Sequence, residues 1–179
     1  MNDNQNWLEI PASSPFSEGF PGGTCSVLIN SSTVLITGGI DKDILSFTSL
    51  LDLNTFTWTE VAPMITPRAG HGCVVDENNE VLIAGGFNGA LLSSVHIYNP
   101  ATDSWREEQE LPGLMEHYKY PTILLWNQKP VLLEANSDRM WMRLENRSWE
   151  LMPTTLGAEF LGSDVDTAAL VPADLYQCP

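Results

Sequence analysis

Basic residues are scarce in this chain. It has 8 lysines and arginines against 23 aspartates and glutamates in 179 residues, and its formal net charge is −15. Such a negative field repels phosphate backbones, so the composition predicts no nucleic-acid partner. The acidity does not indicate disorder, because 43% of the residues are hydrophobic. A chain of this length predicts a single domain over residues 1–179.

Long apolar runs are also missing, and no secretory leader opens the sequence. No stretch approaches the roughly 20 apolar residues that cross a bilayer, so no membrane partner is predicted. The opening Met1–Asn6 has neither the basic start nor the apolar core of a signal peptide. This start predicts a cytoplasmic chain, or a secreted one if a longer precursor is truncated. The sequons Asn30-Ser-Ser32 and Asn146-Arg-Ser148 lie in predicted turns, but such tripeptides are frequent by chance.

No window has convincing helical periodicity, and the chain instead contains a repeat. Val34-Leu-Ile-Thr-Gly-Gly39 returns as Val81-Leu-Ile-Ala-Gly-Gly86. Tryptophans recur in step with it, at Trp7, Trp58, Trp105 and Trp149. Short runs of β-branched and aromatic residues, bounded by Gly, Pro, Asn and Asp, predict four strands in each unit. A period in the forties built from such strands is typical of propeller blades.

The predicted fold is therefore all-β, a β-propeller segment of about three to four four-stranded blades. The repeats cover approximately residues 17–63, 69–112 and 117–153, with terminal strands at 7–10 and 167–177. These terminal strands do not complete a blade. Because open strand edges and apolar faces promote association, the unclosed ring predicts self-association of the isolated chain.

The repeat resembles the Kelch motif. The resemblance rests on the double glycines, on Leu51-Asp52 and Tyr98-Asn99 before a turn, and on a tryptophan seven positions after Leu51 and Tyr98. Pro67-Arg-Ala-Gly-His71 adds to it, whereas the third unit has Asn136 in place of a glycine. The resemblance implies a propeller, commonly of six or seven blades, that serves as a protein-binding platform. The C-terminal end is similar to that of secreted invertebrate Kelch-type proteins.

Structural roles are expected for the residues that define the repeat. The glycines would let the second strand of each blade turn tightly, and the tryptophans would pack between blades. A phosphate cradle and a sugar-stacking platform are the less favoured alternatives. The structural set comprises Gly38, Gly39, Trp58, Gly85, Gly86, Tyr98, Trp105 and Trp149.

Cysteine and histidine are few and scattered. Cys25 and Cys73 occupy matching positions of consecutive units, and Cys178 lies near the end. The first strands of neighbouring blades converge, so Cys25 and Cys73 could approach, but buried free thiols are the favoured expectation. Three cysteines and three histidines at these spacings do not make a metal site, and no cofactor is predicted.

Recognition is expected on one face of the propeller. With strands a to d of each blade antiparallel, the long b–c and d–a loops share one face (the long-loop face). The short a–b and c–d turns share the other (the turn face). Long loops on a rigid scaffold usually carry binding residues, and an acidic surface complements a basic partner. The predicted partner-binding residues are Asp41, Asp43, Arg68, Phe87, Glu108, Glu110 and Glu116.

The sequence thus predicts a non-catalytic module that binds another protein, one with a basic surface. That the acidic residues are only solvated loop charges is an equally weighted alternative. The resemblance also suggests the substrate-recognition segment of a Kelch-like cullin ubiquitin ligase adaptor. A degenerate enzyme resembling galactose oxidase is least favoured, because His71, His96 and His117 occupy three different repeat positions.

Overall fold

Three four-stranded antiparallel sheets form the computed structural model of the chain, which describes residues 15–16, 19–112, 120–134 and 139–153. The first sheet contains β1 (Cys25–Leu28), β2 (Thr33–Thr37), β3 (Thr48–Asp52) and β4 (Thr57–Glu60). The second contains β5 (Gly72–Val75), β6 (Val81–Ala84), β7 (Val95–Asn99) and β8 (Ser104–Glu108). The third contains β9 (Thr122–Trp126), β10 (Lys129–Leu133), β11 (Met140–Arg143) and β12 (Trp149–Leu151).

Consecutive strands are neighbours in every sheet, so each sheet is an up-and-down meander of strands a to d. The predicted all-β class with four-stranded units is confirmed. The a strands of successive sheets are adjacent, because β1 contacts β5 and β5 contacts β9. No helix in the described part of the chain is long and apolar enough to span a membrane. The predicted strands 7–10 and 167–177, together with Glu116, His117 and Asn136, lie outside the described residues.

The repeat keeps the same strand register in its first two copies. Val34 pairs with Leu51 and Leu51 with Trp58, and Val81 likewise pairs with Tyr98 and Tyr98 with Trp105. Side chains opposite each other on neighbouring strands lie close enough to pack. The Tyr98 and Trp105 rings accordingly have centroids 5.0 Å apart. The sequence repeat is therefore a repeat of cross-strand pairs.

The second sheet is buried on both faces. Val81 and Ile83 belong to an apolar cluster with Leu35 of the first sheet. Leu82 belongs to another cluster with Leu132 of the third sheet. Alternate residues of a strand point to opposite faces, so an uninterrupted apolar run fills both interfaces. Each fully buried side chain of this size contributes roughly 1.5–3 kcal/mol.

Glycines follow the b strands because the next loop packs directly against them. Gly38 has a φ of +62°, and a Cβ there would lie 2.2 Å from the Arg68 carbonyl oxygen. Gly86 has a φ of +88°, and its Cβ would lie 2.7 Å from the Ala69 carbonyl oxygen. Any side chain would combine left-handed strain with a backbone clash. These glycines therefore allow the d–a loop to approach the preceding and following blades.

A disulfide joins Cys25 of β1 to Cys73 of β5, with their Cα atoms 6.1 Å apart. The expectation of free thiols is therefore wrong. Cys25 pairs with Thr37 but Cys73 pairs with Ile83, so the two cysteines are offset by one position in the repeat and do not match as predicted. Because alternate residues of a strand point to opposite faces, this offset lets the two side chains face each other across the adjacent a strands. The bond closes a loop with a sequence separation of 48 residues. Loop-closure entropy for that length corresponds to about 4 kcal/mol.

Candidate functional site

Backbone hydrogen bonds connect the three sheets at the long-loop face. The Gly70 amide donates to the Gly23 carbonyl at 2.8 Å, and the Tyr120 amide donates to the Gly70 carbonyl at 2.9 Å. These residues precede strands a of the three sheets, so their loops are joined in series. The Tyr120 ring lies over Gly70, where an added Cβ would come within 2.4 Å of it. The loop ends thus form a continuous, hydrogen-bonded platform.

Two apolar residues sit at equivalent positions of this platform. Ile40 exchanges both backbone hydrogen bonds with Gly22, at 2.8 and 3.0 Å. Phe87 does the same with Ala69, at 2.9 and 3.1 Å. Their side chains are nevertheless exposed, Ile40 by 46% and Phe87 by 38%, and Tyr120 is exposed by 64%. We call Ile40, Phe87 and Tyr120 the apolar trio.

Only Phe87 of this trio was among the predicted partner-binding residues. The repeat contained a signal for Ile40, because it follows Gly38-Gly39 as Phe87 follows Gly85-Gly86. No such signal existed for Tyr120. It occupies the position that is Gly23 in the first unit and Gly70 in the second, and its place on the platform follows from the fold.

Three predicted acidic residues lie at the surface of the long loops. Asp41 and Asp43 are exposed directly after Ile40, and the Asp41 amide donates to the Asp43 carbonyl at 3.1 Å. Glu110 is exposed in the d–a loop, and its carboxylate accepts a hydrogen bond from the Ser93 hydroxyl at 2.9 Å. Asp41 and Asp43 therefore adjoin the apolar trio in sequence and in structure.

Arg68 is a correction to the predicted surface, because its side chain is fully buried. The guanidinium donates to the carbonyls of Gly85 and Ser94 at 3.0 and 3.1 Å and to the Ser94 hydroxyl at 2.9 Å. It also lies within hydrogen-bonding distance of the His96 ring. Burial lowers the pKa of Arg68 to about 10. Arg68 therefore holds both ends of the b–c loop that carries Phe87 and does not reach a partner.

Two histidines share this buried site. The Nε2 atom of His71 and the Oγ1 atom of Thr37 share a hydrogen bond of 2.7 Å between the first two sheets. Burial, with Arg68 and His96 nearby, lowers the pKa of His71 to about 3. Burial and Arg68 lower the pKa of His96 to about 4. Both rings are neutral at pH 7. Among the described residues, no group of three or more His, Cys, Asp or Glu is placed to hold a metal ion.

Glu108 is a second correction. It belongs to β8 and not to a loop, and only 3% of its side chain is exposed. Its carboxylate binds Arg143 of the third sheet and Arg106 of its own strand. Arg143 also contacts Asp76 at 3.3 Å. Glu108 is therefore part of an ionic cluster between the second and third sheets and is inaccessible to a partner.

A polar cleft of about 740 Å³ opens on the opposite, turn face. It is bordered by turns from all three sheets, and asparagine, glutamate and arginine side chains dominate its walls. Glu80 and Arg106 form a bidentate ion pair inside it, at 2.7 and 2.6 Å. The polar lining residues are Asn30, Asn78, Asn79, Glu80, Asn99, Arg106 and Arg147. This cleft was not predicted, because the turns that form it are short and lie far apart in sequence.

Comparison with known proteins identifies the repeat. Residues 67–112, which include the whole second sheet and the end of the loop before it, match the family model of the Kelch motif. This stretch carries a Kelch motif. Beta-scruin of Limulus polyphemus is 34% identical over 89 residues, which are 44% of this chain and 10% of scruin. Kelch-like protein 40 of Mus musculus is 29% identical over 133 residues, 73% of this chain and 20% of that protein.

The chain spans a fifth or less of the length of these relatives. Spermatocyte protein spe-26 of Caenorhabditis elegans follows the same pattern, with 29% identity over 60% of this chain and 19% of that protein. Among solved structures, YjhT is similar with a TM-score of 0.65 and 15% identity, over 77% of this chain and 53% of that one.

A fungal alcohol oxidase of the AA5 family, solved with copper, has a TM-score of 0.55 and 16% identity over 63% of this chain and 27% of that one. At such identities these likenesses concern the fold alone. The fold is that of a β-propeller segment, as predicted, and the described residues form three four-stranded blades.

Proposed function

We propose that this Kelch segment is a non-catalytic module that binds another protein through its long-loop face. The observation that supports the proposal is the apolar trio, whose side chains are exposed while the backbones beneath them are hydrogen-bonded to neighbouring loops. Kelch-like relatives also favour a binding role over a catalytic one.

Preorganisation is the physical reason for choosing this surface. Immobilising loops and side chains on binding costs affinity, and a surface that is already ordered avoids much of that cost. Arg68 and the paired backbone of Phe87 with Ala69 order the central b–c loop before any partner arrives. Aromatic side chains on such a platform are the residue types that most often dominate binding energy.

The charge of the surface indicates the chemistry of the partner. With Arg68 and Glu108 buried, the exposed predicted residues Asp41, Asp43 and Glu110 leave an acidic rim beside the trio. Complementary charge accelerates association and excludes acidic partners. The partner site is therefore an apolar side chain flanked by lysine or arginine.

Peptide display tests this proposal without a known partner. Peptides selected on the folded chain would be measured against wild type, Phe87→Ala and Leu53→Ala. Leu53 is a matched control, since it is an apolar residue 39% exposed in a turn of the opposite face. We expect selected peptides to combine basic and apolar residues. Phe87→Ala should weaken them by roughly tenfold or more, as loss of a hot spot does.

The contribution of the acidic rim is tested separately, through the association rate and its dependence on salt. Asp41→Asn with Asp43→Asn should slow association and flatten its dependence on salt, since complementary charges act mainly on the on-rate. The proposal would be refuted if the affinity of the selected peptides were unchanged by Phe87→Ala but reduced by Leu53→Ala. That result would place the binding site on the turn face.

A further inference from the structure

Both Asn-x-Ser sequons are exposed in turns of the same face. Asn30 lies in the a–b turn between β1 and β2, and Asn146 lies in the c–d turn between β11 and β12. Asn30 and Arg147, the residue after Asn146, border the same polar cleft. The two sequons, which are distant in sequence, therefore open onto one surface, opposite the apolar trio.

The local conformation prepares both asparagines for modification. The Asn30 side-chain oxygen accepts a hydrogen bond from the Ser32 amide at 2.9 Å. The Asn146 oxygen accepts from the Ser148 amide at 3.1 Å and from the Ser148 hydroxyl at 2.7 Å. Such Asx turns bring the serine two positions after each asparagine close to the acceptor side chain. Within the described residues neither Nδ2 atom donates a hydrogen bond, so the reactive nitrogens are accessible.

An independent feature indicates the compartment. The Cys25–Cys73 disulfide joins the a strands of the first two blades. Disulfides form and persist in secreted proteins and in the lumen of the endoplasmic reticulum, whereas cytosolic thiols are kept reduced. A sequon by itself is weak evidence of modification, but the disulfide belongs to the same compartment in which asparagine-linked glycans are added.

We propose that Asn30 and Asn146 are N-glycan acceptors in a chain that folds in the secretory pathway. In the transfer, each Nδ2 forms a bond to C1 of a sugar carried on a lipid pyrophosphate. The sugar–oxygen bond breaks, the lipid pyrophosphate leaves with the electron pair, and the amide proton passes to a base of the transferase. The disulfide forms separately, as the two thiols lose two protons and two electrons to an oxidising thiol–disulfide carrier.

This arrangement assigns different tasks to the two faces. Glycans on Asn30 and Asn146 would cover the polar cleft and keep proteins away from the turn face. The long-loop face, where the apolar trio lies, would stay bare. Partner binding through the trio is thus compatible with full glycosylation.

The first experiment maps the sites. The full chain would be secreted from insect cells behind a cleavable leader and treated with peptide N-glycosidase. We expect a two-step gain in gel mobility, of which Asn30→Gln or Ser32→Ala removes one step and Asn146→Gln or Ser148→Ala removes the other. Asn54→Gln is the matched control, since Asn54 is exposed in a c–d turn but has Phe56, and no hydroxyl, two positions on. It should leave both steps.

The second experiment tests the compartment in the natural source. The endogenous chain would be captured by antibody, alkylated before and after reduction, and mapped by mass spectrometry, which reads the sites even if a variant folds poorly. Glycosidase-dependent conversion of Asn30 and Asn146 to aspartate, with Cys25 and Cys73 protected from alkylation until reduction, is the expected result. Unmodified asparagines, or free Cys25 and Cys73 thiols in the endogenous chain, would overturn the proposal.

Discussion

Two seams between neighbouring blades join equivalent sheets by different chemistry. The first seam lies between the first and second blades, and the second seam lies between the second and third. The first seam has the Cys25–Cys73 disulfide and a hydrogen bond between His71 and Thr37. The second seam has an ionic cluster centred on Arg143 beside a larger apolar cluster. The repeat therefore determines where neighbouring sheets meet. The residues at each seam determine whether reduction, acid or the loss of a charged partner weakens that contact.

The largest expected effect is in the second seam. Arg143→Ala removes the cation that pairs with the buried carboxylates of Asp76 and Glu108. Breaking one partner of a buried ion pair typically costs about 3–5 kcal/mol, and here the buried Asp76 carboxylate loses its Arg143 partner while Glu108 keeps Arg106. Urea unfolding should show a loss of that size. Arg147→Ala is the control, since Arg147 contacts Glu108 at 3.6 Å from a side chain that is 60% exposed, and it should cost under about 1 kcal/mol.

A triple variant sharpens this test. Asp76→Asn, Glu108→Gln and Arg143→Met together replace the cluster with neutral groups of similar size. Because wholesale replacement of buried ion pairs is often neutral, most of the stability lost in Arg143→Ala should return. A triple variant as unstable as the single one would show that the loss in Arg143→Ala does not come from uncompensated charge.

The disulfide of the first seam ranks next. Cys25→Ser with Cys73→Ser, or reduction of the wild-type chain, should lower the free energy of unfolding by about 2–4 kcal/mol. The melting temperature with and without reductant measures the loss. The double variant should be insensitive to reductant, and equal melting of oxidised and reduced wild type would argue against a stabilising disulfide.

Acid should act on the first seam as well. The pKa of His71 is lowered to about 3 and that of His96 to about 4. The unfolded chain therefore binds protons below about pH 6.5 that the folded chain excludes, and stability falls from there down to those values. At pH 5 we expect up to about 2 kcal/mol of loss from His71. His71→Gln should flatten the decline in chemical unfolding between pH 7 and 5, and an unchanged slope would assign the acid sensitivity elsewhere.

The smallest effect concerns one hydrogen bond across the first seam. The Trp105 indole donates to the Ala62 carbonyl at 2.7 Å. Trp105→Phe keeps a ring against Tyr98 but removes this donor, so about 1 kcal/mol should be lost. Denaturant midpoints of wild type and variant measure the difference. A loss well above about 3 kcal/mol would indicate that ring packing, more than the hydrogen bond, anchors the seam.

The blades were predictable because their signals are short-range. Each unit is marked by a tight turn, a short apolar run and cross-strand partners a few residues apart, such as Tyr98 with Trp105. The double glycines were also identified from the sequence, but the atoms that pack against them were not predicted. Gly38 faces the Arg68 carbonyl from a different loop, and only the folded chain shows that close approach.

The surface was predicted less well because exposure is a long-range property. Arg68 and Glu108 look like loop charges in the sequence, yet carbonyls from the next blade bury the first and arginines from the third blade bury the second. Asp41 and Phe87 are exposed as the loop pattern suggested, and whether they bind a partner stays a prediction.

The repeated amino-acid pattern is enough to specify four-stranded propeller blades, since strand register depends on neighbours within a few tens of residues. Tertiary packing decides the rest. It brings Cys25 to Cys73, buries Arg68, and places Asn30 and Arg147 beside one cleft. Each of these outcomes requires two blades to meet at a particular angle and distance. The sum of many weak apolar contacts between sheets sets that geometry, and no local motif encodes it.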